Sequence, residues 1–112
     1  MTTRIDPARQ LEQALKLPRT YEAEIPEDYL DSNGHMNMMY YTLVGNMGMG
    51  HFMESIGISR ESFRAKQRGF FALKQIISYL HELREGDLVA VHTGLVNYDA
   101  KRLHFIHYAV CL

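Results

Sequence analysis

The chain has 112 residues, 46% of them apolar and 22% charged, and its 12 Lys and Arg against 13 Asp and Glu leave a net charge of -1. That length predicts one domain, and that balance offers neither nucleic acid nor an anionic membrane a basic patch. The lone cysteine, Cys111, has no partner within the chain, and no apolar run approaches the roughly 20 residues of a membrane span, so a reduced, cytoplasmic protein is expected.

Asp6-Pro7 opens a short helix, with Asp as its cap, Pro in its first turn, Leu11 and Leu15 on one face, and Pro18 as its stop. This leader, residues 1–20, is expected to lie at the periphery of a domain formed by residues 21–112. Residues 21–25 alternate Tyr21, Ala23 and Ile25 with Glu22 and Glu24, which predicts a first strand ending at Pro26. A long turn then closes at Asn33-Gly34. Over residues 38–56 the apolar positions Tyr41, Val44, Gly48, Phe52 and Ile56 recur at helical spacing, and Gly57 stands as the C-terminal stop. Gly45, Gly48 and Gly50 each weaken such a helix by about 1 kcal/mol relative to Ala, so close approach of a sheet is expected there. Six of the seven methionines fall between positions 36 and 53 and suit an irregular apolar pocket or plain core filling.

Residues 70–80 are rich in aromatic and β-branched side chains and predict a long second strand, with Phe71, Leu73, Gln75, Ile77 and Tyr79 on one face. The other face is half apolar, as a subunit interface would be. Residues 88–96 and 103–112 predict two more strands around a turn at 97–100, after a turn at Glu85-Gly86-Asp87. The order of strand, helix and three strands describes an α+β domain with one helix laid across an antiparallel sheet. His51, His81, His92, His104 and His107 form no ligand set, and His104 and His107 should point to opposite faces of one strand, so no metal is expected.

The densest group of functional residue types, residues 31–41, sits just before and into the helix start. A carboxylate, a histidine and an amide gathered there share the site with free backbone N–H groups and the positive end of the helix dipole, which together can stabilise an oxyanion. Each residue also has a plain structural role available: Asp31 as a turn carboxylate, His35 in a loop, Asn37 as a cap and Tyr41 in the core.

Asp31, Gly34, His35, Met36, Asn37 and Tyr41 match the signature Asp-x-x-Gly-His-(hydrophobic)-Asn-Asn-x-x-Tyr, with Met38 in place of the second Asn. On these residues the chain resembles the hotdog-fold acyl-CoA thioesterases of the 4-hydroxybenzoyl-CoA thioesterase type. Tyr79, followed by a charged turn ending in Gly86-Asp87, is similar to a later feature of that family. The resemblance covers residues 21–112. It implies an antiparallel sheet wrapped around one long central helix, and hydrolysis of an acyl-CoA with Asp31 as nucleophile or general base, without a cofactor. It further implies the Met38 backbone N–H as oxyanion donor, with His35 and Asn37 nearby, and a homodimer or dimer of dimers whose interface holds the substrate. Gly34, Tyr29, Tyr40, Tyr41 and Phe52 are candidates for binding the acyl group, which could be aromatic, short-chain or quaternary ammonium. Arg64, Lys66, Arg68 and Lys74 are candidates for the nucleotide end. A hotdog enoyl-CoA hydratase is less well matched, because His35 follows Asp31 by four residues where that motif needs five and its proline is absent. A non-catalytic module that binds acyl thioesters is the other alternative. Family members close their sheet with one more strand after residues 103–112, so a shortened form or a strand supplied by a partner chain is expected, the alternative being that the leader folds back as a cover.

Overall fold

The computed structural model describes residues 6–67 and 69–112. A helix α1 (Pro7–Ala14) is followed by strand β1 (Arg19–Glu24), a 3-10 turn (Glu27–Tyr29), the long helix α2 (Met38–Ser55) and the short helix α3 (Arg60–Ala65). Strands β2 (Leu88–Tyr98) and β3 (Leu103–Cys111) complete an antiparallel sheet in the order β1-β2-β3. This is the α+β arrangement that the sequence predicts, with one long helix against the sheet.

Local chemistry sets most of the boundaries. The Asp6 side chain accepts the Ala8 N–H at 3.0 Å and caps α1, with Pro7 at the first helical position. The Asn37 side chain accepts the Met39 N–H at 3.1 Å and starts α2. Gly34, Gly57 and Gly86 all have positive φ, at +78°, +87° and +82°, and make the turns around these elements.

The centre of the molecule is β2. Val89, Val91 and Thr93 face α2 and are fully buried, and they join Ile25, Met36, Val44 and Leu83 in the core. Gly48 is the point of closest helix approach: a Cβ there would lie 2.6 Å from Val91 Cγ1 and 2.8 Å from Thr20 Oγ1. Gly45 and Gly50 would meet nothing within 4 Å, so the packing reason expected for three glycines holds for one. A bulge at Thr20 turns its hydroxyl to Thr93, 2.8 Å away, and Thr93 meets His107 Nδ1 at 2.9 Å.

The opposite face of β2 is covered by the leader. The alternation of side chains along a strand puts Ala90, His92 and Gly94 on that face. There His92 Nδ1–H donates to the Leu17 carbonyl at 2.8 Å, and Leu17 packs onto Gly94. With α2 on one face and the leader around Leu17 on the other, residues 89–94 are buried without a break rather than at every second position. The leader therefore closes the core, whereas the sequence predicts a peripheral element. Its buried residue is Ala14, while Leu11 and Leu15, the expected apolar face, stay exposed.

The long strand expected at residues 70–80 is not formed. The segment makes no ladder among the described residues and is exposed throughout. Its β-forming composition is satisfied only when a neighbouring strand supplies hydrogen bonds, and β1, β2 and β3 pair with one another instead. The segment is held by side chains: Gln75 Nε2 donates to Thr42 Oγ1 at 3.2 Å, Phe70 packs on Phe63, and Tyr79 packs on Tyr41.

Candidate active site

Residues 30–36 fold back on themselves as a tight hairpin. Leu30 bridges Met36, the Asp31 N–H donates to the His35 carbonyl at 2.8 Å, and Gly34 supplies the left-handed turn. Asp31 Oδ1 accepts the Asn33 N–H at 2.8 Å and the His35 N–H at 3.3 Å, which is the turn role open to it in the sequence. Oδ2 makes no hydrogen bond among the described residues and is left for other chemistry.

The hairpin then docks on a distant part of the chain. His35 bridges Arg84, and the Met36 N–H donates to the Leu83 carbonyl at 2.8 Å. That register carries Glu82 to His35, where Oε2 and Nε2 are 3.2 Å apart. Nothing in the sequence marks Glu82 as a neighbour of the motif, because only the pairing of the two segments brings it there.

Between the hairpin, the start of α2 and residues 79–82 lies an open groove of about 580 Å³. Asp31, His35, Asn37, Met38 and Tyr41 line it from the motif, and Tyr79, His81 and Glu82 line it from the later segment, with Tyr79 packed on Tyr41. Met38 is the first residue of α2, and its N–H has no partner among the described residues, whereas the Met39 N–H is taken by Asn37. Asn37 thus acts as the cap. Tyr41 accepts the Leu83 N–H on its hydroxyl at 3.1 Å, so a residue with core packing also fixes a groove wall.

Other candidate residues lie elsewhere. Tyr29 and Tyr40 stack on each other, 4.1 Å between centroids and 9° between planes, and pack against the core rather than lining the groove. Phe52 sits far along α2, roughly 21 Å from Met38 at 1.5 Å per residue, and meets Phe105 of β3 edge to face. Gly34 shapes the hairpin turn without lining the groove. Arg64 lies in the last turn of α3, Lys66 caps it and Lys74 lies in the segment 70–80, all exposed and none at the groove. Arg68 lies outside the described residues. A larger open groove of about 760 Å³, between residues 69–73 and 99–102, is at the far end of β2 and holds none of the motif. There the Arg102 side chain, followed by the Lys101 and Arg102 N–H groups, holds the exposed Asp99 carboxyl down to about 2.

Residues 25–112 match the family model of the thioesterase-like superfamily. Betainyl-CoA thioesterase of Pseudomonas aeruginosa is 37% identical over 93 residues, 83% of this chain and 58% of that protein. A candidate thioesterase of Pseudomonas putida, known from its crystal structure, superposes with a TM-score of 0.73 at 33% identity, covering 85% of this chain and 62% of that one. A hypothetical protein of Staphylococcus aureus, solved in complex with CoA, superposes with a TM-score of 0.78 at 25% identity, covering 85% and 61%. This chain thus spans less than two thirds of the length of each. The matched residues begin just after β1 and run through the hairpin, α2 and strands β2 and β3, and on that ground the chain belongs to the thioesterase-like superfamily, with its hotdog fold.

Proposed function

We propose that the protein hydrolyses an acyl-CoA thioester, releasing a carboxylic acid and free CoA. The observation that carries this reading is the meeting, in one groove, of the Asp31 carboxylate with an uncommitted Oδ2 and the start of α2 with an uncommitted Met38 N–H. Asp31 acts as general base or as nucleophile. As base, it takes a proton from water while the water oxygen bonds to the thioester carbon; as the tetrahedral adduct collapses, the carbon–sulfur bond breaks and the proton passes to the thiolate. As nucleophile, Oδ2 bonds to the carbonyl carbon, the thiolate leaves, and water cleaves the resulting mixed anhydride. In either route the carbonyl oxygen gains negative charge, and the Met38 N–H, backed by the dipole of α2, is the donor that meets it. Asn37 positions that first turn, and His35 is oriented by Glu82.

The acyl group we propose is small and bears a quaternary ammonium, on the strength of the betainyl-CoA thioesterase relative. Assembly as a homodimer or dimer of dimers belongs to the same reading. It is supported by the exposed apolar side chains Phe71, Leu73 and Ile76 in the unpaired segment 70–80.

The test is release of free thiol from a panel of acyl-CoA substrates. Asp31→Asn keeps an Oδ1 acceptor for the Asn33 and His35 N–H groups, so the hairpin persists while the base or nucleophile is lost. Turnover is expected to drop at least about 100-fold with an unchanged circular dichroism spectrum. Turnover near that of the unsubstituted protein would remove Asp31 from the mechanism.

A further inference from the structure

The charge and shape of the groove bear on which acyl group it receives. Its lining carries two carboxylates, Asp31 and Glu82, and neither Lys nor Arg among the described residues. Two tyrosine rings stand in the same wall: Tyr41 and Tyr79 meet edge to face, 5.2 Å between centroids and 81° between planes. Perpendicular rings beside a carboxylate make a receptor for a cation, since the ring faces are electrostatically negative and the carboxylate is fully charged. Tyr41 is held in place through its hydroxyl by the Leu83 N–H, next in the chain to Glu82. Glu82 reaches His35 Nε2, yet 61% of its side-chain surface stays open toward solvent and groove. The stacked pair Tyr29 and Tyr40 does not serve in this way, because neither ring lines this groove.

We infer that Tyr79, with Tyr41 and Glu82, forms the specificity-determining wall that receives a quaternary ammonium close to the scissile carbonyl. The inference rests on the thioesterase reading and extends it to residues of this chain. In a betainyl thioester one methylene separates the ammonium from the carbonyl carbon, so the cation and the reacting atom must share one groove, and Asp31 and Tyr79 do line the same one. A quaternary ammonium has no N–H to donate, so ring faces and carboxylate charge are the means of holding it. An anionic acyl group would meet two like charges there.

The experiment compares betainyl-CoA with its uncharged isostere 3,3-dimethylbutanoyl-CoA, in which carbon replaces the nitrogen. Free-thiol release is followed for the unsubstituted protein and for Tyr79→Leu, Tyr79→Phe and Glu82→Gln. The unsubstituted protein is expected to favour the cationic substrate in kcat/KM. Tyr79→Leu and Glu82→Gln should each lower the ratio of cationic to neutral kcat/KM by about 3- to 30-fold, and Tyr79→Phe, which restores the ring, should recover the preference. A ratio near one in the unsubstituted protein, or a ratio that neither Tyr79→Leu nor Glu82→Gln moves, overturns the inference and leaves the thioesterase reading standing. No thiol release from either substrate by the unsubstituted protein overturns both.

Discussion

Met38 carries its proposed role on its main chain, so a test of it must remove the N–H itself, with Met38→Ala as the control for loss of the exposed side chain. Proline does this at the first position of a helix, where its fixed φ suits the helix start and no intrahelical bond is lost. Asn37 already has extended backbone, φ -60° and ψ 140°, as the residue before a proline requires. Met38→Pro is therefore expected to fold with little change in thermal midpoint and to lower kcat by about 100- to 1000-fold, as loss of an oxyanion donor does. A kcat within a few-fold of the unsubstituted protein would assign the oxyanion to another donor. His107 offers a second test at this scale. Burial lowers its pKa in the folded chain, so below about 6.5, the unfolded value, the unfolded chain binds more protons than the folded one. That contribution to stability is present above this value and is lost as pH falls toward the folded value. Urea midpoints measured from pH 7.5 to 5 are expected to fall less steeply in His107→Gln, and an identical slope would show that His107 is not the group responsible.

At the scale of elements, the packing of α2 on the sheet turns on a single glycine. Val91 and Thr93 are fully buried, and Val91 Cγ1 has no room to retreat from a methyl group placed 2.6 Å away. Overpacking of this kind costs about 1–3 kcal/mol, more than the roughly 1 kcal/mol that Ala gains over Gly in a helix, so Gly48→Ala is expected to destabilise. Gly45→Ala and Gly50→Ala meet open space and are expected to stabilise by about 0.5–1 kcal/mol each. Chemical denaturation of the three variants reads the contrast directly, and equal effects at all three sites would contradict the close approach at Gly48. The leader shows the complementary case of fit. Gly94 lets Leu17 lie against β2 on the face that α2 does not reach, while α1 itself packs toward β3.

For the molecule as a whole, the unpaired segment 70–80 is the feature that most affects behaviour in solution. Phe71, Leu73 and Ile76 expose large apolar surfaces in one stretch, more than isolated surface side chains would account for. The proposed association of like copies would cover such a stretch, and light scattering at micromolar concentration is expected to give a dimer or tetramer. Charged substitutions at Leu73 and Ile76 should shift that equilibrium toward the monomer. A monomer before any substitution would remove the proposed assembly.

The sequence by itself determined those features whose physics acts between near neighbours. The Asp6 and Asn37 caps, the extent of α2, the turn glycines Gly34, Gly57 and Gly86, and the positions of β2 and β3 all follow from capping, periodicity and backbone freedom within a few residues. The motif around Asp31 was legible for the same reason, since its hairpin is closed by its own side chain and backbone. Tertiary structure alone decided what distant segments do to one another. A strand needs a partner, so the β-forming residues 70–80 remained unpaired while β2 took β1 and β3 as its neighbours. Side-chain alternation could not foretell that the leader would bring Leu17 onto the second face of β2. Phe52 shares a helix with Tyr41 but was drawn to Phe105, and Glu82 reached His35 only through the register of two segments far apart in the chain.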